Sequence, residues 1–324
     1  MNIFITGALG FIGSHISQHY LLNGDRVMGL DNRSGQYPSR IYNDMLSLLK
    51  KHALFSFHSL DVRSRLELAS VVRNAQPDIV IHTAALTGVR DGAQRPSECM
   101  ETNSMGTQNI LDACREYKNV RVVLLSSSSV YGDQTAGPFR ENALLHPRSI
   151  YAISKQAAES IAEYYAHQYK LPMLVIRPFS VYGPRGRMNM LPFLLLRSAI
   201  TGQPFHQFGN NDSNKRDWTY IDDFVEATSR LIQSKKGQFE VFNIGSGNPI
   251  GIDDFVDEFK RQTKSILGKT IIIRKKPKPG YEMEITYADT KKLRENIGPI
   301  SFTPIQEGIR HFLQFYQKHQ SVYF

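Results

Sequence analysis

The chain has 324 residues, 41% of them hydrophobic and 21% charged, which is the balance of an ordinary globular protein and excludes a disordered or fibrous one. The formal net charge is +9, yet the basic residues are scattered, and the densest run, Arg274-Lys-Lys-Pro-Lys278, is short and proline-broken. That run reads as a solvated loop, so no nucleic-acid partner is expected, although the charge agrees with an anionic nucleotide ligand. No apolar run approaches the roughly 18 residues of a membrane span, and Met1–Thr6 lacks a basic leader. Neither a membrane segment nor a signal peptide is therefore expected. The two cysteines, Cys99 and Cys114, offer no disulfide framework and no zinc spacing. Buried thiols in a reducing cytoplasm, with no metal site, are the expectation.

Taken in chain order, apolar runs alternate with amphipathic stretches through the first half, the pattern of a parallel sheet covered by helices. Strands are expected at Asn2–Thr6, Arg26–Asp31, Leu54–Ser59, Ile79–Thr83, Val120–Ser126 and Met173–Arg177. Helical spacing occupies Ile12–Leu22, Leu66–Asn74 and Thr107–Tyr117, and Ser34–Arg40 reads as a loop ahead of another helical stretch. After Arg177 proline and glycine become frequent, as a loop-rich, substrate-covering lobe requires. Asp217–Ile221 and Glu240–Ile244 again read as strands, so the lobe should interleave with the sheet. The expected fold is α/β: a Rossmann-type doubly wound parallel sheet with a smaller, interleaved α+β substrate-binding lobe. Residues 1–177 would form the NAD-binding domain, with a return near 217–249, and residues 178–216 and 250–324 the lobe.

Gly7-x-x-Gly10-x-x-Gly13 directly follows the first strand and opens the first helix. Glycines there let the backbone turn sharply and approach a pyrophosphate, whose charge the helix N-terminus favours. Asp31 closes the second strand, where a carboxylate accepts hydrogen bonds from ribose hydroxyls and repels a 2′-phosphate. NAD is favoured over NADP on that ground, while Arg33 nearby keeps a 2′-phosphate open. Asp61-Val62 ends the third strand within reach of an adenine, and Thr83-Ala84-Ala85 ends the fourth with small residues that permit close approach.

Tyr151-Ala-Ile-Ser-Lys155 places a phenol and an ammonium one helical turn apart. An unperturbed tyrosine, with a pKa of about 10, is a poor base near neutrality. A neighbouring cation favours the phenolate, and Ser127 at the end of the fifth strand can orient the same substrate hydroxyl. Any Tyr-x-x-x-Lys pair can be a surface accident. The order of cofactor loop, serine-rich strand end and this helix argues otherwise.

With those pieces in place, the chain resembles the extended short-chain dehydrogenase/reductases, in their nucleotide-sugar epimerase/dehydratase branch, over nearly its full length. The resemblance rests on Thr6-Gly-Ala-Leu-Gly-Phe-Ile-Gly-Ser-His15, Asp31-Asn32, Asn103-Ser-Met-Gly-Thr107, Ser126–Gly132, Tyr151–Lys155, Arg177–Gly183 and Arg216-Asp-Trp-Thr-Tyr-Ile-Asp-Asp223. It implies that Phe11, Ile12, Asn32, Asn103 and Pro178 line the NAD site, that Tyr151 is the base, and that Lys155 holds the ribose and tunes the tyrosine. Where dehydratases of the branch carry an acid pair, this chain has Ser128 and Ser129, which leaves no carboxyl group for an elimination. Reversible C4 oxidation, an epimerase's chemistry, needs none.

The most similar pattern within the branch is that of the UDP-glucuronate 4-epimerases, on Phe179-Ser-Val-Tyr-Gly-Pro-Arg-Gly-Arg187, Arg216–Asp223, Thr286-Tyr-Ala-Asp-Thr290 and Thr303-Pro-Ile-Gln-Glu-Gly-Ile-Arg310. This resemblance implies that Arg187 takes the sugar carboxylate beside Ser180 and Ser128, and that Arg216 takes the UDP pyrophosphate. It further implies that Phe208 packs on uracil, Asn189 bonds the diphosphate region and Glu282 meets the uridine ribose. Met188-Asn189 and Pro279-Gly-Tyr-Glu282 depart from that pattern. The alternatives are a UDP-glucose or UDP-N-acetylglucosamine 4-epimerase, a UDP-glucuronate decarboxylase, and a non-catalytic NAD-binding regulator. A homodimer is implied as well, through the helix bearing Tyr151, whose face Ile161-Ala-Glu-Tyr-Tyr165 suits either an interface or a core.

Overall fold

The computed structural model describes residues 1–35, 37–117, 119–132, 137–208, 214–234, 237–276 and 285–324, with Phe208 described by its backbone alone. The first six strands are β1 (Asn2–Thr6), β2 (Arg26–Asp31), β3 (Phe55–Ser59), β4 (Ile79–His82), β5 (Arg121–Leu125) and β6 (Met173–Pro178). β7 (Ser180–Tyr182), β8 (Phe205–Phe208), β9 (Lys215–Tyr220), β10 (Phe239–Ile244), β11 (Pro249–Gly251) and β12 (Ile273–Lys276) follow.

Seven strands form one sheet in the order β10-β6-β5-β4-β1-β2-β3, every neighbouring pair parallel. Helices cover both faces, so its central strands are apolar on both sides: Phe4, Ile5, Val80, Ile81, Val123, Leu174 and Val175 are fully buried. The edge strand β3 is only half-buried and alternates Phe with Ser and His. Strand order reverses between β1 and β4, which opens a crevice at their C-terminal ends. The architecture is therefore the expected doubly wound α/β sheet.

Element ends shift by a residue or two from expectation; the first helix, for instance, runs Phe11–Leu22. Two differences are larger. The stretch read as a strand at Asp217–Ile221 does not rejoin the main sheet; as β9 it pairs with β7 and β11 in a separate three-stranded sheet. Only β10 returns, beside β6. The expected helix at Thr107–Tyr117 covers Gly106–Cys114 and is preceded by a wider, π-helical turn at Glu101–Met105. Over the lobe, Trp218 stacks on Phe255 at 4.1 Å, and Phe259, Phe312 and Tyr316 continue the aromatic cluster between the helices Ile252–Leu267 and Ile305–Lys318. No helix among the described residues is long and apolar enough to cross a membrane.

His82 ties the sheet to the helix layer. Thr107 donates its hydroxyl proton to the Asn103 carbonyl at 2.6 Å, so it accepts from His82 Nε2 at 3.1 Å. His82 Nδ1 then accepts from the Thr6 hydroxyl at 2.7 Å, and Thr6 Oγ1 accepts from the Ala84 amide at 3.2 Å. Every donor has one acceptor only if the imidazole is neutral. Burial, with the Lys155 charge adding to it, pushes His82 down to about 3. A base depressed in the native state binds fewer protons there than in the unfolded chain, so stability is lost as pH falls below the unfolded value of about 6.5. In urea titrations between pH 7 and 4.5, His82 should contribute a loss approaching about 1.4 kcal/mol per pH unit at the acid end. His82→Asn should flatten that slope, and an unchanged slope would contradict the neutral-histidine assignment.

Candidate active site

A cavity of about 1190 Å³ opens at the C-terminal ends of β1, β4 and β5 and runs beneath the lobe. A pocket for a single small ligand has roughly 300–1,000 Å³, so this cavity is larger than one such ligand requires. At one end lie Gly7, Gly10, Phe11, Ile12 and Gly13. Gly7 has φ +68°, and a Cβ there would sit 2.7 Å from the Ala84 amide nitrogen. A Cβ on Gly13 would sit 2.0 Å from the Gly7 carbonyl oxygen. Strand end and helix thus touch backbone to backbone. No side chain caps the start of the first helix, so its orphan amides face the loop. Asp31, buried at the tip of β2, accepts from the Leu9 amide at 3.1 Å and the Arg33 amide at 2.7 Å. Burial raises its pKa and these two bonds oppose the rise. Leu30, Asn32, Leu60 and Val62 complete this end, and Thr83, Ala84 and Ala85 floor the middle. A glycine cradle, an uncapped helix start and a carboxylate in the cavity wall fit a dinucleotide.

The reactive groups meet where β5 ends against the helix Ile150–Tyr169. Ser149 caps that helix by accepting from the Ala152 amide at 3.2 Å, which sets Tyr151 in its first turn. Ser127 accepts from the Ser129 amide at 3.1 Å and the Ser129 hydroxyl at 2.8 Å. With its acceptor sites used, Ser127 turns its own proton to the Tyr151 phenol. Burial raises the Tyr151 pKa, while the bond to Ser127 and the charge of Arg187 oppose the rise. Lys155 is buried and donates from Nζ to the Leu125 carbonyl at 2.7 Å. Burial pushes it down to about 8. The lysine shares the tyrosine's helix face as its spacing predicts. Arg187 is a cation that lowers the phenol, and the lysine's ammonium donates to the strand-end carbonyl.

Beyond the phenol, Arg187 donates from Nη1 to the Thr87 hydroxyl at 2.7 Å, and Asn189 donates to Asp91 at 2.9 Å. These two bonds join the lobe to the segment after β4 across the cavity. Ser128, Ser129, Pro178 and Ser180 line the same stretch. At the far end Arg216 stands with Arg197, His206, Trp218 and Phe205, a cationic and aromatic setting.

Two expected cavity residues, Asn103 and Asp61, are placed elsewhere, as is Arg33, which by sequence keeps a 2′-phosphate open. Asn103 is buried outside the wall: its side chain accepts from the Leu86 amide at 2.8 Å and donates to the Leu86 carbonyl at 3.0 Å and to Ser154 at 2.8 Å. The wider turn at Glu101–Met105 carries it there, and its role is to pin the segment after β4. Asp61 is claimed by Arg63 and Asn32, which hold its carboxylate down at about 2, and only its neighbour Val62 faces the cavity. Arg33, with φ +54°, is exposed and absent from the wall. Glu282 lies outside the described residues, as does the side chain of Phe208. Thr87, Gly88 and Asp91 escaped the sequence reading. Their one signal is a glycine soon after the small-residue strand end, which adopts φ +108°.

The profile of the NAD dependent epimerase/dehydratase family matches residues 3–245. Protein CapI of Staphylococcus aureus is 33% identical over 98% of this chain and 98% of its own length. The UDP-glucuronate 4-epimerase of Thermodesulfobacterium geofontis is 32% identical over 94% of this chain and 93% of its own. Among solved structures, the UDP-glucuronic acid 4-epimerase of Bacillus cereus, in complex with UDP-glucuronic acid and NAD, superposes with a TM-score of 0.90 at 29% identity, covering 98% of this chain and 100% of that one.

Because a methyl group on Gly13 meets fixed backbone, Gly13→Ala should lose co-purifying dinucleotide and cost about 1–3 kcal/mol of stability. Gly237→Ala, whose Cβ would meet, among the described residues, Glu240 alone at 3.8 Å, serves as the silent control. Absorbance at 260 nm after denaturation and a thermal melt check both, and retained dinucleotide in Gly13→Ala would contradict the cradle.

Proposed function

Since the chain belongs to the NAD-dependent epimerase/dehydratase family, we propose that it inverts C4 of UDP-glucuronate, giving UDP-galacturonate through a 4-keto intermediate. The observation that carries this reading is Arg187, a forked cation beside the reacting phenol and bonded to Thr87 at 2.7 Å. Similarity to proteins that carry the 4-epimerase name, one of them holding UDP-glucuronic acid and NAD, supports it.

NAD would rest on Gly7, Gly10 and Gly13 with its adenosine ribose on Asp31, and when bound it takes hydride from C4 and returns it. Tyr151 removes the C4 hydroxyl proton and later gives it back, as its position beside Ser127 allows. Ser127 donates to the phenol oxygen and so favours the phenolate. Lys155, buried one turn on, holds the cofactor's ribose. Arg216 and its neighbours tether the nucleotide, so the ketone turns to its opposite face without leaving. A 4-keto hexuronate is a β-keto acid and loses CO₂ when its carboxylate bond stands perpendicular to the carbonyl. Arg187 holds the carboxylate bidentately away from that orientation. Ser128 and Ser129 offer hydroxyls to the sugar and no acid for dehydration.

We further propose that two copies associate through the helix Ile150–Tyr169 and the helix Gly106–Cys114. Tyr164 is 57% exposed and its ring meets Tyr165 and Tyr169, while Arg115 lies over Tyr169. Exposed aromatics ringed by charge suit an interface. A cytoplasmic location accords with two buried free thiols.

Incubated with UDP-glucuronate, UDP-glucose and UDP-N-acetylglucosamine and followed by NMR, the protein should invert C4 of the uronate fastest. Turnover confined to the neutral sugars would sink the reading. Arg187→Ala should cut uronate turnover about 10- to 100-fold, the worth of a bond to a charged group, and raise the decarboxylated by-product. Unchanged rates and by-product would remove Arg187 from the carboxylate. Light scattering should give a dimer that Tyr164→Glu dissociates; a wild-type monomer would refute the association.

A further inference from the structure

The helix Ile150–Tyr169 grips the end of β5 at three successive residues, and the third grip has no place in the mechanism above. Residues 151, 155 and 159 repeat every four positions and share one helix face. Tyr151 meets Ser127, Lys155 Nζ donates to the Leu125 carbonyl, and Glu159 accepts from the Ser126 hydroxyl between them. Arg177 of β6 locks the Glu159 carboxylate bidentately, Nε to Oε1 at 2.9 Å and Nη2 to Oε2 at 2.7 Å. Side-chain exposure of this pair is only 5% and 7%. The remaining Arg177 nitrogen, Nη1, is turned to the Tyr131 hydroxyl at 2.9 Å and the Glu141 carbonyl at 3.0 Å.

A buried ion pair adds little net stability over a packed apolar pair, so charge at this point asks for another reason. We propose that Glu159 is a positioning residue for the cofactor site: anchored by Arg177, it clamps the strand end through Ser126 and keeps Lys155 a cation able to hold the ribose. The ribose-holding role of Lys155 is taken from the proposed function, and the inference rests on it to that extent. Lys155 is buried with one carbonyl partner, and burial alone drives it toward the neutral amine. Two groups oppose that, Cys99 from the helix Pro96–Met100 and Glu159. The Cys99 thiol is itself pushed up by burial and is neutral at pH 7. Of the other titratable groups near this cluster, His82 on β4 is neutral, Tyr151 is a phenol, Tyr131 is pushed up to about 12, and Arg187 acts on Tyr151. Glu159, one helical turn from Lys155 on the same face, is the carboxylate left to sustain the lysine's charge, through the part of its own charge that Arg177 does not offset.

Two titrations test this on the full chain. Lysine labelled with ¹³C at Cε gives a Lys155 resonance, assigned by its loss in Lys155→Met, whose pH midpoint is read directly. In Glu159→Gln, which keeps an acceptor for Ser126, the midpoint should fall by about one pH unit or more. NAD affinity of cofactor-stripped protein should then weaken about 5-fold or more relative to wild type at pH 8, as the charged fraction of Lys155 falls, and converge with it at lower pH. If the single variant fails to fold, Glu159→Gln/Arg177→Met, which leaves no unpaired arginine, should still lower the Lys155 midpoint, by less, because an opposing cation goes with the carboxylate. A wild-type Lys155 midpoint and wild-type pH dependence of NAD affinity in the folded variants would overturn the inference, whatever their melting temperatures. Absence of UDP-glucuronate turnover in the wild type would defeat the proposed reaction and leave both titrations decisive here.

Discussion

Everything at the cofactor end depends on the closeness of the first strand–helix turn. Gly13 approaches the Gly7 carbonyl so nearly that only hydrogen fits between them. That contact seats the first helix directly on the end of β1, with its unpaired amides aimed into the crevice where strand order reverses. A dinucleotide laid on those amides has one direction to run: from Asp31 across Thr83 and Ala84 toward Tyr151. In the proposed reaction, the position of the reacting carbon is thus inherited from a glycine contact at the opposite end of the cavity.

The second constraint is the burial of charge around a single hydroxyl. Tyr151 is held up by burial and drawn down by Ser127 and Arg187, from two different parts of the fold. Arg187 belongs to the lobe, and its bond to Thr87, with that of Asn189 to Asp91, spans the cavity to the segment after β4. Asn103 pins that segment at Leu86. In the proposed reaction, a guanidinium that both orients a carboxylate and lowers the neighbouring phenol couples substrate choice to basicity. A neutral sugar would leave that fork without its anionic partner.

Much of this was legible in the residues. Gly7, Gly10 and Gly13 after an apolar run, Asp31 at a strand end and the four-residue step from Tyr151 to Lys155 each carry a local physical requirement that the fold meets. What was not legible is long-range or irregular. β9 has a strand's composition, but composition does not name a partner, and it pairs with β7 and β11 outside the main sheet. Asn103 was displaced by a turn one residue wider than an α-helical one, which no spacing rule registers. Asp61 was captured by Arg63, two residues on, through both side chain and backbone. The lysine's true partner, a carbonyl on β5, lies 30 residues away.

The central claim is that the C4 hydrogen leaves as hydride, stays within the protein and returns to the same carbon, while Tyr151 moves only the hydroxyl proton. UDP-glucuronate carrying deuterium at C4, incubated with the enzyme in ordinary water, tests this directly. NMR of the UDP-galacturonate formed should show deuterium fully retained at C4, with none replaced by solvent hydrogen. Loss of the label to water in step with inversion would contradict the account, since it would mean a proton, not a hydride, had been taken from carbon.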